Sequence, residues 1–290
     1  MYKVTLLACA LFVSAPSLLT AQTARVGSGQ SVGTRASSGQ NRAASGETKE
    51  YRIKLSKAGQ PGSLKIADLG ADVVIEAYAG NEILITQQGY QPPPKKAEGM
   101  RSLTAAGVDN TGIGLEVKEA NNTVEVLGVA PQRSSEPYLI KLPANVAVVM
   151  DYKSPMSGAI HLKNLSSKIE IDAFASEVNL EEITGPAVVN TVGGDINARF
   201  SKVNQNNPIS IASTGGEIDV TLPSNTPANL EMSTMGGEIY TDMDVQLDQA
   251  NQEKNMRRFG GQGKIKGSLN GGGVDIRLQS VGGTIYLRKK

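Results

Sequence analysis

The chain of 290 residues has no tryptophan, one cysteine, one histidine and four phenylalanines. Each scarcity removes a class of chemistry. A single histidine, His161, cannot build a histidine-rich metal site, and a Ser-His-Asp hydrolase would have to route every proton through that one ring. A single cysteine, Cys9, cannot close an intramolecular disulfide. Aromatic residues make up only 4% of the chain, so a core packed on large rings is not available. Lys+Arg 29 against Asp+Glu 28 leave a net charge of +1. No global field therefore draws the protein to nucleic acid or anionic lipid, and a polyanionic partner would need a local patch. What stands in excess is glycine: 32 residues, about 11% against the ~7% of ordinary globular proteins.

The first 21 residues place Lys3 before an apolar run from Val4 to Phe12, followed by Leu18, Leu19 and then Thr20-Ala21-Gln22. This is the layout of a secretory signal peptide cleaved after Ala21, and it predicts export to the periplasm, the cell surface or the medium. Ser14 and Pro16 interrupt the run, which is too short for a membrane anchor. Leu6-Leu7-Ala8-Cys9 superficially matches a lipoprotein box, but the apolar segment continues beyond Cys9. Removal of the signal leaves a mature chain without cysteine, which excludes thiol catalysis and cysteine-ligated metals. Residues 22–48 are rich in Gly, Ser, Ala, Thr and Gln and cannot bury enough apolar surface to offset ordering entropy, so they read as a disordered spacer. Arg25, Arg35 and Arg42 are a sparse footprint for an anion-binding arm.

The glycines organise the second half. Five segments share an apolar-x-apolar-x-Ser/Thr-x-Gly-Gly-x-apolar pattern: 187–196, 209–218, 230–239, 265–274 and 276–285. The fourth is the poorest copy, with Gly267 at an inward position and Leu269 in place of the hydroxyl. Upstream, Ile160, Ile169, Val178, Ala187 and Ile196 recur every nine residues. Period-two alternation within each unit predicts strands with one buried face, and the short polar connections predict tight turns. A unit of this size cannot bury its apolar face alone, so stacking is required. The fold class is therefore all-β: a single-stranded β-solenoid over residues 144–290, preceded by an irregular β region over 49–143. In the latter, strands are expected at 51–55, 63–67, 73–77, 82–86, 114–118, 123–127 and 138–142. The long stretch Gln87 to Thr111, with Pro92-Pro93-Pro94 and Lys95-Lys96, is functional or mobile. A second insertion, Asp244 to Gln262, reads as a short polar helix or an exposed loop.

The C-terminal run from Gly267 to Lys289, the strand Tyr138-Leu-Ile-Lys-Leu-Pro143 and the segment Val108 to Val117 resemble a bacterial family of exported β-strand-repeat proteins, labelled adhesins and a domain of unknown function. The resemblance implies an envelope or secreted β-solenoid with no known catalytic residues. The adhesin label rests on fold analogy.

Candidate chemistry is thin. Asp195, Glu217 and Glu238 would form an outward column if the repeats stack in register, continued by Gly273 and Thr284, with Arg199, Arg277 and Arg288 near enough to compensate. A calcium ladder is conceivable there, but the nonapeptide of calcium-binding β-rolls is absent. His161 falls on an outward face as a surface histidine, and Asp109-Asn-Thr-Gly112 reads as a polar turn. Asp219, Asp242, Arg277 and Arg288 would serve a polysaccharide-active β-helix lyase or hydrolase only if long loops framed a groove. Sugar binding through aromatic platforms would have to use Tyr240, Tyr286, Tyr78 or Tyr90. No catalytic, cofactor-binding or metal residue is assigned. The sequence thus predicts a non-catalytic exported adhesin or interaction scaffold, with a surface protein or polysaccharide as partner, no nucleic acid, and possible self-association. Arg288-Lys289-Lys290 is expected to protect an edge strand by charge.

Overall fold

The computed structural model describes residues 47–67, 69–129, 136–248 and 262–290, all within one compact unit that begins at Ala43. The expected signal peptide, all but the last two residues of the expected spacer, and most of the second insertion lie outside these residues. In chain order the first strands are β1 Glu47–Lys54, β2 Gly62–Ala67, β3 Val73–Tyr78 and β4 Glu82–Tyr90. A single 3-10 turn, Lys95–Ala97, follows, then β5 Leu103–Thr104 and β6 Gly107–Val108. Next come β7 Leu115–Ala120, β8 Thr123–Gly128, β9 Tyr138–Pro143 and β10 Val146–Tyr152. The repeats supply β11 Ile160–Lys163, β12 Ile169–Ala173, β13 Val178–Ile183, β14 Ala187–Val192 and β15 Ile196–Phe200. They continue with β16 Ile209–Thr214, β17 Ile218–Leu222, β18 Ala228–Met235 and β19 Ile239–Thr241. The last strands are β20 Gln246–Leu247, β21 Gln262–Leu269, β22 Val274–Val281 and β23 Ile285–Lys289.

Successive repeat strands do not pair with each other. They alternate between a ten-stranded sheet and an eleven-stranded sheet, and from β10 to β17 each pairs in parallel with the strand two places away, such as Ile160 with Val178 and Ile169 with Ala187. The nine-residue unit is thus half a coil, and one coil lays one rung in each sheet. Apolar positions alternate inward, so Ile169, Ile171, Ile196, Ala198, Ile218, Val220, Ile285 and Leu287 are buried in one aliphatic core shared by both sheets. At the roughly 4.8 Å spacing between rungs, branched aliphatic side chains fill this space without large rings.

The rungs are not stacked in chain order. Sheet order shows eight parallel rungs, in space β8/β9, β2/β3, β10/β11, β12/β13, β14/β15, β16/β17, β22/β23 and β18/β19. At each end of the stack one coil is tucked inside another: β2/β3 lies inside β8/β9, and β22/β23 lies inside β18/β19. Antiparallel strands then cover the outer rungs, β4 on β9, β7 on β8 and β21 on β18.

This order corrects three expectations. The segment 265–274 is not a coil corner: Gly271 and Gly272, with φ of 86° and 87°, turn the chain between antiparallel β21 and parallel β22. Arg288-Lys289-Lys290 does not guard an edge, because β23 is flanked by β17 and β19. Thr241, which period-two alternation after Ile239 places inward, is exposed on the three-residue strand β19. The seven strands expected between residues 51 and 142 are all present, as β1 to β4 and β7 to β9; β10 was not anticipated.

The Gly-Gly corners explain why the rungs lie so close. The first glycine of each pair has φ of 92°, 96°, 93° and 93° at Gly193, Gly215, Gly236 and Gly282, a left-handed region that L side chains seldom enter. The second glycine has a different reason. A Cβ at Gly194, Gly216, Gly237 or Gly283 would collide with a carbonyl of the adjacent rung, that of Ser176, Gly194, Gly283 and Gly216 respectively. The buried hydroxyl two or three residues before stitches the corner: Gly216 N–H donates to Ser213 Oγ at 3.0 Å, and Ser213 Oγ donates to the Gly194 carbonyl at 3.0 Å. Gly283 N–H likewise donates to Ser280 Oγ at 3.0 Å, Ser280 Oγ to Gly216 at 3.1 Å, and Thr234 Oγ1 to Gly283 at 2.8 Å.

Two predictions follow from this geometry. In urea unfolding, Gly216→Ala costs about 3 kcal/mol because a backbone carbonyl occupies the space. Gly215→Ala has room and costs only the backbone strain, about 1–2 kcal/mol; a reversed ranking contradicts the packing. In a Cys9→Ser background, Thr214→Cys with Val281→Cys forms a disulfide between adjacent rungs. Thr214→Cys with Met235→Cys does not, since an intervening rung separates them by about 9–10 Å.

Candidate functional site

The outer face of the ten-stranded sheet carries a continuous column of planar polar side chains. Pairing aligns His161, Asn179, Asn197, Asp219, Tyr286 and Tyr240, one per rung. Asn197 Nδ2 donates to Asn179 Oδ1 at 3.1 Å, and Asn179 Nδ2 donates to Glu177 Oε1 at 2.9 Å. Arg288 Nε reaches both Asp219 carboxylate oxygens at 2.9 Å, and its guanidinium lies 5.2 Å from the Tyr286 ring centre. The Tyr286 and Tyr240 rings stack with centres 5.7 Å apart and planes inclined by 15°. Tyr240 donates to Glu238, and the hydrogen bond to that carboxylate, more than its charge, raises the phenol's pKa above its ordinary value. A hollow of about 270 Å³ lies among Asn179, Asn197, Arg199, Asp219 and Thr221. Tyr78 and Tyr90 stand apart from this column: the Tyr78 hydroxyl donates to the Glu82 carbonyl at 2.8 Å, and Tyr90 is buried beneath Lys49.

The carboxylate column has a different composition from that expected. Backbone hydrogen bonds place Glu177, Asp195, Glu217, Thr284 and Glu238 on consecutive rungs, so Thr284 separates Glu217 from Glu238 and Gly273 is not a member. Asp195 Oδ1 accepts from the Glu217 N–H at 2.8 Å. Among the described residues no group of three His, Cys, Asp or Glu side chains is arranged to hold a metal ion. Arg277 does not compensate this column, because it lies on the opposite sheet. That placement also divides the four residues considered for polysaccharide cleavage. Asp219 and Arg288 are paired, Asp242 accepts from the Lys289 N–H at 2.8 Å, and Arg277 binds Glu231 at 3.1 Å on the other face. His161 is half-buried between Val74 and Asn179 on neighbouring rungs.

The outer face of the eleven-stranded sheet holds a compact ion cluster, Glu231 with Lys264 at 2.9 Å, Lys266 at 3.3 Å and Arg277 at 3.1 Å. Beside the glycine corners, Phe174, Val192, Val281 and Met235 are exposed on rungs of this sheet. A larger groove of about 780 Å³ opens at the other end of the fold, between β1, the residue 91–102 loop and the 109–112 turn. Sequence reasoning identified that loop by its length and charge, yet treated the turn separately; nothing in the spacing shows that they face each other.

Residues 153–286 match the profile of the Toastrack DUF4097 family. The segment that matches the Toastrack profile runs from before β11 into the start of β23 and includes the whole tyrosine and asparagine column. No curated protein sequence matches the chain. Among solved structures, a "putative cell adhesion protein" of Clostridium sporogenes is similar at 11% identity and a TM-score of 0.47, covering 84% of this chain and 99% of its own. A "putative adhesin" of Bacteroides fragilis is similar at 12% identity and a TM-score of 0.40, covering 85% and 99%.

The ion cluster on the matched segment makes a pH prediction. The Glu231 carboxyl is held below its ordinary value of 4.5, first by hydrogen bonding to Lys264, with Lys266 and Arg277 assisting against desolvation. A depressed folded-state pKa contributes stability above the unfolded value and loses it as pH falls through the folded value. Glu231→Gln is therefore expected to melt below wild type at pH 7, and the gap is expected to close as pH drops below about 4. A gap independent of pH contradicts the assignment.

Proposed function

We propose that this chain is an exported, non-catalytic envelope or cell-surface protein that adheres to a partner through the outer face of its ten-stranded sheet. Its organisation is a signal peptide at 1–21, a spacer at 22–48, a β region at 49–143 and a repeat region at 144–290. The observation that carries the reading is the column from Asn179 to Tyr240, in which hydrogen bonds, an Arg288–Asp219 pair and ring stacking hold adjacent side chains in fixed positions. Pre-ordered planar groups on a rigid sheet lose little conformational entropy on binding, and tyrosine and arginine are the residues that dominate interaction energies. The match of residues 153–286 to the Toastrack profile, and the exported adhesins the sequence resembles, support the same reading.

The test is adhesion of beads coated with residues 22–290 to a panel of bacterial, host-cell and matrix surfaces. Wild-type beads are expected to adhere, and Asn197→Ala with Tyr286→Ala is expected to lose at least tenfold of that adhesion. Equal adhesion by the variant, or none by wild type, contradicts the proposal. Incubation with a polysaccharide panel supplies the complementary check: new reducing ends or unsaturated products would identify an enzyme instead.

A further inference from the structure

The groove at the β1 end of the stack is a second site, separate from the tyrosine column, and its walls are rigid. Asp109 accepts from the Thr111 N–H at 3.1 Å, the Thr111 hydroxyl at 3.0 Å, the Gly112 N–H at 2.6 Å and the Gly114 N–H at 2.9 Å. These four donors consume the carboxylate and fix the turn. Beneath it, the buried Tyr138 hydroxyl donates to the Ile113 carbonyl at 2.6 Å. The opposite wall contains Pro92, Pro93 and Pro94, whose locked φ removes backbone freedom; Pro94 has φ of −53° and ψ of 145°.

Into this space project Lys49, Lys95 and Arg101, against the one further lining carboxylate, Glu98. Lys49 Nζ lies 4.9 Å from the Tyr90 ring centre and directly over Gly112, where a Cβ would strike it. Among the described residues none of these three cations pairs with a carboxylate, whereas eleven ion pairs form elsewhere on the molecule. A volume of about 780 Å³ is larger than a free inorganic anion needs and falls within the 300–1,000 Å³ or so of organic-ligand sites. Proline and Met100 side chains offer C–H surface, and Met100 is largely exposed.

We propose that this groove binds an acidic polysaccharide, with Lys49 and Arg101 receiving sugar carboxylates and the proline wall contacting the ring faces. Arginine matches a carboxylate with two parallel donors, and lysine adds a point charge held in place by Tyr90. The proposal does not depend on the adhesive face. It can fail while adhesion survives, and the reverse.

The experiment is calorimetric titration of residues 22–290 with polygalacturonate oligomers, with fully methyl-esterified galacturonan oligomers, and with tripolyphosphate. Polygalacturonate is expected to bind, at least tenfold more tightly than either of the others, and binding is expected to weaken as salt rises. Lys49→Gln with Arg101→Gln is expected to lose at least tenfold in affinity, with an unchanged melting temperature. Lys153→Gln with Lys168→Gln, which also removes two positive charges, from the exposed Lys153–Asp151 and Lys168–Glu170 pairs, is expected to bind as wild type. Equal binding of the ester, equal binding of tripolyphosphate, an unaffected double variant or no binding at all would each overturn the proposal.

Discussion

At one corner of the stack, a buried serine or threonine hydroxyl accepts the N–H of a glycine in its own rung and donates to a glycine carbonyl in the next. Ser213 and Ser280 complete both halves of this relay, Thr234 makes its donor contact at one end, and Thr191 at the other donates to the Gly194 carbonyl of its own rung. All four are buried, so each unmade bond would leave a polar group without solvent. The constraint runs outward from there. Carbonyls this close forbid a Cβ on the second glycine, the tight corner forces positive φ on the first, and the two together hold neighbouring strands in register. Without that register the outward columns that make the binding face would not align.

The order of the rungs adds a second constraint. A stack of parallel strands ends in unpaired backbone groups that invite other chains. Here the coil nearest each end of the described chain is placed inside the stack, and antiparallel strands cover three of the four outermost parallel strands. The fourth, β19, has only three residues. This arrangement also inserts β23 between β17 and β19, which brings Tyr286 between Asp219 and Tyr240 and sets Arg288 against Asp219. In simple chain order Tyr240 would stand between Asp219 and Tyr286, and a whole rung would separate Arg288 from Asp219.

Much of the fold was legible from residues alone. Alternation at period two located the strands, because one face of each is buried in aliphatic packing, and the Gly-Gly motif marked four real corners. The fifth, at Gly271-Gly272, lacked the hydroxyl, with Leu269 in its place, and that departure is the local sign of a reversal within one sheet, where the chain passes from β21 across β18 to β22. The insertion of β22 and β23 was not legible, because apolar rungs have nearly interchangeable inward faces and pairing partners depend on distant loops. For the same reason the groove escaped notice: Lys49, Tyr90, Arg101 and Asp109 are brought together by antiparallel β1 and β4 and by a loop without periodicity. Tyr240 and Tyr286 were recognisable as candidates, but the Arg288–Asp219 pair beside them depended on rung order.

The central claim is that the glycine and hydroxyl relay is as fixed as the strands themselves. Amide hydrogen exchange measures it residue by residue without perturbing the packing. Although Gly216 and Gly283 lie in turns, their N–H groups are predicted to exchange as slowly as those of Ile211 and Leu278 in the neighbouring strands. Exchange at the rate of an open turn such as that at Gly59 would contradict the account.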